Sequence, residues 1–142
     1  MEVRTASSPR DVKHYTTDRL REEFLIQNLF VPGEIKMVYS HIDRIITGAA
    51  VPAGETLVLT AGAELRAEYF LQRREMGIIN IGGTGVIVAD GKEYEVGHKE
   101  GMYIGMGVKE ITFASKESAV PAKFYFNSTP AHHTYPTVLI KP

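Results

Sequence analysis

The fold of this chain is decided between Gly62 and Gly82, in the run Gly62-Ala63-Glu64-Leu65-Arg66-Ala67-Glu68-Tyr69-Phe70-Leu71-Gln72-Arg73-Arg74-Glu75-Met76-Gly77-Ile78-Ile79-Asn80-Ile81-Gly82. Taken as Gly62, five residues, Glu68, one, Phe70, four, Glu75, six, Gly82, it has the spacing of a metal-binding β-barrel motif. The two places such a motif gives to histidine hold Glu68 and Phe70. Further on, Gly105-Met106-Gly107-Val108-Lys109-Glu110 stands where a companion motif would bring a third histidine, and Glu110 takes that place. The pattern argues for the barrel and against its usual ion.

Around this frame the residues alternate in short β-rich runs broken by turn residues. Strands are expected at about Ile35–Tyr39, Asp43–Ala49, Glu55–Thr60, Glu68–Arg74, Met76–Ile81, Gly85–Ala89, Lys92–Val96, Gly101–Ile104, Glu110–Ser115 and Ala122–Ser128. Asp90-Gly91 accepts positive φ and joins two of them as a two-residue hairpin. Many of the thirteen glycines fall at corners where strands bend or change sheets. Ahead of the strands, Thr16-Thr17-Asp18 offers capping oxygens to a short helix from Arg19 to about Asn28. Leu20 and Phe24 lie one turn apart on it, which predicts a flap lying against the barrel. The expected class is all-β, a β-sandwich or barrel of jelly-roll type with a short N-terminal helix. Its parts are an arm and helix over 1–34, the barrel over 35–128, and an extended, proline-rich connector over 129–142.

At 142 residues, 44% apolar and 23% charged, the chain has the size and composition of one globular domain. A net charge of −1 argues against the concentrated basic surface that nucleic-acid binding requires, and the pair Arg73-Arg74 does not alter that. No cysteine is present, which rules out disulfides, thiolate metal sites and thiol nucleophiles. The first residues lack a signal-peptide core, and no apolar run approaches the ~20 residues of a bilayer span. A cytoplasmic protein without membrane or nucleic-acid partners is the expectation.

The five histidines, His14, His41, His98, His132 and His133, include no His-x-His pair, so no strand sends two imidazoles to one face. A site assembled from His41, His98 and His132 finds no support in spacing. Glu68, Glu75 and Glu110 would converge inside the barrel, and three carboxylates suit Mg²⁺, Ca²⁺ or Mn²⁺ better than Zn²⁺. The favoured alternative pairs Glu75 with Arg73 or Arg74, and Glu110 with Lys109 or a neighbour, leaving no ion. Arg44, in Tyr39-Ser40-His41-Ile42-Asp43-Arg44, can grip a sugar-acid carboxylate, or else belongs to a structural network at a strand end or subunit contact. Arg74 and Lys109 are further chemical candidates for a substrate carboxylate. Gly82-Gly83-Thr84-Gly85 leads into a strand and has no helix N-terminus to hold a phosphate. No acid pair or Ser-His-Asp order is assignable.

The spacings described above are those of the two cupin motifs. Beyond them, four blocks carry a more specific likeness: Tyr39-Ser40-His41-Ile42-Asp43-Arg44-Ile45-Ile46; Phe70 through Gly83; Pro121-Ala122-Lys123-Phe124-Tyr125-Phe126-Asn127; and Pro130-Ala131-His132-His133-Thr134-Tyr135-Pro136-Thr137. In register over essentially the whole chain, they resemble the 5-keto-4-deoxyuronate isomerases, also called 4-deoxy-L-threo-5-hexosulose-uronate ketol-isomerases. That family is a two-cupin protein roughly twice this length, so the chain looks like its first half. The resemblance implies a cytoplasmic bacterial enzyme of pectin and uronate breakdown, a homohexamer interconverting 5-keto-4-deoxyuronate and 2,5-diketo-3-deoxygluconate. It implies a zinc ion held by three His and one Glu of the second cupin, ligands with no counterpart here. Zinc and catalytic residues are therefore not expected in this chain, whose partners would be the second cupin, further copies and a uronate-derived substrate.

Overall fold

Period-two burial organises the chain. From Arg74 to Asn80 the even-numbered residues are buried and the odd-numbered ones are not, and Phe124–Ser128 and Gly85–Ala89 alternate the same way. In the computed structural model, which describes all 142 residues, the elements run β1 (Glu2–Arg4), α1 (Pro9–Val12), α2 (Thr17–Phe24), β2 (Ile35–Ser40), β3 (Ile46–Ala50), β4 (Leu57–Val58), a 3-10 turn (Ala63–Leu65), β5 (Arg74–Asn80), β6 (Gly85–Ala89), β7 (Lys92–Val96), β8 (Gly101–Ile104), β9 (Ile111–Ser115), β10 (Phe124–Pro130) and β11 (Val138–Ile140). They form a seven-stranded sheet in the order β1-β2-β3-β10-β5-β8-β11 and a four-stranded sheet in the order β4-β9-β6-β7. All pairings are antiparallel except β1 with β2. This is the expected β-sandwich.

The interior between the sheets is packed with phenyl rings. Phe70, Phe113, Phe124 and Phe126 are each at most 2% exposed, with Phe113 stacked on Phe126 at 6.3 Å and tilted on Phe124 at 5.4 Å. Each buried ring stabilises the fold by roughly 1.5–3 kcal/mol over its exposed state. Two strand glycines make room for them. A Cβ on Gly48 would clash with Phe126 Cζ and Cε2, and one on Gly85 would lie 2.5 Å from the tip of Phe124. At one end of the sandwich Asn80, fully buried, donates to the carbonyls of Gly83 (2.7 Å) and Val96 (2.9 Å) and accepts from the amides of Gly82 (3.0 Å) and Lys123 (3.1 Å). Every valence of that amide is used, so the β5–β6 corner is tied to β7 and β10.

Several expectations are corrected. Glu68–Arg74 is no strand. Gly62 (φ 70°) and Arg66 (φ 46°) take left-handed backbone, the 3-10 turn lies between them, and an irregular loop continues to β5. Its backbone bonds go to scattered partners, Gly107 N–H to the Leu71 carbonyl (2.9 Å) and Ala131 N–H to that of Arg73 (3.1 Å). Phe70 and Leu71 reach the core from this loop, so apolar residues that read as strand are buried without one.

The helix is capped by Thr16, whose hydroxyl accepts from Arg19 N–H at 3.3 Å, but it ends at Phe24. It is no apolar flap, for it buries no residue and leaves Leu20 37% and Phe24 53% exposed. Polar ties anchor it: Arg4 donates to the carbonyls of Glu23 (3.3 Å) and Leu25 (3.2 Å), and Ser7 to the Glu23 carboxylate (3.1 Å). Nor are the chain ends separate from the barrel. Residues 1–34 contribute β1, which pairs with β2, and residues 129–142, expected as a connector, contribute β11 to the open edge of β8. No helix is long and apolar enough to cross a membrane.

Candidate functional site: an arginine-lined pocket

The loop that replaces the expected strand builds one wall of a pocket of about 190 Å³. Tyr39 and Arg44 come from the β2–β3 hairpin, Glu64, Leu65, Ala67, Phe70 and Arg73 from the loop, Arg74 from the start of β5 and Pro130 from the end of β10. The hairpin tip turns tightly because Asp43 (φ 52°) and Arg44 (φ 55°) both hold left-handed backbone. That conformation is uncommon for residues with a Cβ and is best tolerated by Asp among the charged types. It leaves the Arg44 carbonyl accepting from Arg74 Nη2 at 2.6 Å.

Arg74 is 5% exposed and sits on the inward, even-numbered face of β5. Its Nε donates to the Ser128 hydroxyl at 3.0 Å and its Nη2 to the Ser128 carbonyl at 2.8 Å, while its guanidinium lies 5.7 Å from the Tyr39 ring centre. Burial pulls its pKa below the usual guanidinium value, with Tyr39 opposing and Arg44 adding to the effect. A guanidinium still remains cationic at any working pH. Arg73 reaches the same pocket from the loop, its Nη2 donating to the carbonyls of Leu65 (3.2 Å) and Arg66 (3.1 Å). None of the three arginines forms an ion pair within 4 Å, and the single acid of the wall, Glu64, pairs instead with the Met1 ammonium at 3.2 Å. That pairing and hydrogen bonding to its own backbone hold the Glu64 carboxyl below its ordinary value, the backbone bond contributing most.

Of the sequence candidates, Arg44 and Arg74 meet here. Lys109 does not: it is exposed in the β8–β9 connection, packed beside the β6–β7 turn, where Asp90 Oδ1 accepts from the backbone amides of Lys109 and Glu110 at 2.9 Å each. Arg73, Tyr39 and Glu64 are the residues that sequence reasoning passed over. The adjacency of Arg73 and Arg74 was a signal, but neighbours in one strand point to opposite faces. Both reach the pocket only because Arg73 lies in the loop.

The acidic set does not converge. Glu68 and Glu110 are exposed, and Glu75 lies on the outward, odd-numbered face of β5. There it accepts from the Tyr103 hydroxyl at 2.7 Å, and neither Glu75 nor Glu110 makes the expected ion pair with Arg73, Arg74 or Lys109. Tyr103 is pushed up to about 12, by burial first, then by the Glu75 hydrogen bond and charge, with Tyr135 adding to them. All five histidines are exposed, and no three His, Asp or Glu side chains come together as a metal-binding group. A zinc ion does not fit the donors of this chain, because the positions facing the interior carry phenyl rings.

Comparison with known proteins agrees with the sequence blocks. A model of the KduI/IolB family matches residues 24–142. The chain is 73% identical over 142 residues to a 4-deoxy-L-threo-5-hexosulose-uronate ketol-isomerase of Lachnoclostridium phytofermentans, covering all of this chain and 51% of that protein. It is 61% identical, with the same coverage, to the protein of that name from Lachnospira eligens. It therefore spans about half the length of the curated relatives it matches. Among solved structures, a cupin protein from Bacteroides fragilis aligns with 19% identity and a TM-score of 0.48, over 78% of this chain and 90% of that one.

Proposed function

The chain belongs to the KduI/IolB family, and from that membership we propose that it is the first, metal-free cupin of a ketol-isomerase acting on 5-keto-4-deoxyuronate. The observation that carries this reading is the match of the whole chain, at 73% and 61% identity, to relatives named as ketol-isomerases, over about half their length. Ketol isomerisation moves a proton between adjacent carbons through an enediol, and needs a tuned base and a group that stabilises the developing oxyanion. Of the motif positions only Phe70 reaches the interior, and Glu68, Glu75 and Glu110 do not, which supports assigning the chemistry, with zinc, to a second cupin outside these residues. In this reading the product is 2,5-diketo-3-deoxygluconate, the setting is cytoplasmic breakdown of pectin-derived uronates, and the chain serves the packing of a homohexamer.

The test is isomerase turnover by residues 1–142 alone and by the same residues continued through the remaining half of a relative. Each is measured after chelation and again after zinc is restored. Turnover is expected only from the longer protein, lost on chelation and regained with zinc. Chelator-sensitive turnover by residues 1–142 alone contradicts the division of labour proposed here. A second reading, a non-catalytic cupin that holds a sugar acid or serves in assembly alone, draws on the unpaired arginines of the pocket. It predicts no turnover by either protein.

A further inference from the structure

We propose that the pocket of Arg44, Arg73 and Arg74 is a carboxylate-binding subsite that takes a uronic acid. The charge balance is the starting point. Three guanidiniums surround one small cavity, none has a carboxylate partner, and the only acid in the wall is engaged by the Met1 ammonium. A buried cation left without a counter-charge is costly, and an anion entering the cavity relieves that cost.

The donors are also placed for it. Arg74 spends Nε and Nη2 on Ser128 and the Arg44 carbonyl, while its Nη1 makes no hydrogen bond within the protein. No buried side-chain nitrogen in the chain lacks a partner, so Nη1 keeps contact with solvent, and Arg74 is one of the residues that line the cavity. Arg73 is held by two loop carbonyls through Nη2, which leaves its Nε and Nη1 for a ligand. Arg44 enters no side-chain hydrogen bond, and its backbone is clamped by Arg74. The Arg73 and Arg74 donors, fixed in this way, lose little freedom on binding, while Arg44 brings a free guanidinium from the hairpin tip.

Size and walls narrow the ligand. At about 190 Å³ the cavity lies below the ~300 Å³ lower bound of common ligand pockets, which favours a monosaccharide acid over an oligosaccharide. Leu65, Ala67, Phe70 and Pro130 supply apolar wall against a sugar's carbon face, beside the buried charge of Arg74. That the anion is a uronic acid rests on the isomerase reading, whereas the affinity for an oxyanion rests on the pocket alone.

Calorimetric titration of the 142-residue protein with galacturonate, galactose and inorganic phosphate separates these. Saturable binding of galacturonate, none of galactose, and at least a tenfold loss in Arg44→Gln and in Arg73→Gln are expected. Arg44 is exposed and its side chain bonds to no other residue, so circular dichroism and melting of Arg44→Gln should match the parent, whereas Arg73→Gln gives up two loop hydrogen bonds and Arg74→Gln a buried network. Galacturonate binding that both variants leave intact, equal binding of galactose, or no saturable binding overturns the proposal. Phosphate binding without galacturonate binding overturns the uronic-acid assignment. Because binding is read without turnover, failure here is distinguishable from failure of the isomerase reading.

Discussion

Replacing Gly48 by alanine tests whether the sandwich interior is filled as described. The new Cβ would lie 2.6 Å from Phe126 Cε2 and 2.8 Å from the Lys36 carbonyl, so the ring has to move. Overpacking of this kind costs about 1–3 kcal/mol. Phe126 is fully buried, stacked on Phe113 and edge-on to Phe70 at 6.5 Å, and Phe126→Ala costs about 3–5 kcal/mol. In the double variant the ring contacts of the new Cβ are gone and only the Lys36 carbonyl remains close. The two losses should therefore fall short of additivity by about 1–2 kcal/mol. Urea unfolding followed by circular dichroism reads this directly. With a slope of about 1.5 kcal/mol/M, a coupling of 1.5 kcal/mol appears as about 1 M in the midpoint. Additivity within about 0.5 kcal/mol would mean that Phe126 does not lie on Gly48, and the account of the packed interior would fail.

Asn80→Ala removes an amide whose four hydrogen bonds join three strands, so a loss of about 2–4 kcal/mol in the same unfolding assay is expected. A loss under 1 kcal/mol would show that the corner holds without it. Tyr103 predicts a pH dependence. Its folded value of about 12 lies above the 10.0 of an ordinary tyrosine, so the folded protein binds the phenolic proton more tightly than the unfolded chain. That contribution to stability is fully present below pH 10 and is lost as pH rises towards 12. Tyr103→Phe should flatten stability against pH in that window, and Glu75→Gln should lower the phenol's titration midpoint, read by ultraviolet absorbance. An unchanged midpoint in Glu75→Gln would remove the carboxylate from the explanation.

How far the site was legible follows from range along the chain. Arg44 and Arg74 were nameable because a guanidinium announces its chemistry, but they are thirty residues apart (74 − 44 = 30), and nothing local says that one clamps the other's carbonyl. Lys109 has the same chemistry and was placed with them, yet it ends at the Asp90 turn. Glu75 failed for a different reason. A strand that starts at Arg74 sends even residues inward, and a one-residue difference in register exchanges core for solvent.

What the sequence determined by itself is whatever depends on a few neighbouring residues. The strands Gly85–Ala89, Lys92–Val96 and Gly101–Ile104 fall where their alternation and the Asp90-Gly91 turn put them, and Thr16 caps the helix that follows it. The absence of thiols and of His-x-His pairs is likewise a property of the string alone. Tertiary structure decided the rest. It set which face of β5 is inside, that Phe70 and Leu71 are buried from a loop, that β1 and β11 join the sheet, and that three arginines share one cavity. Periodicity encodes which residues can share a face, but only long-range strand pairing selects the face that meets the core, and with it the charges that meet each other.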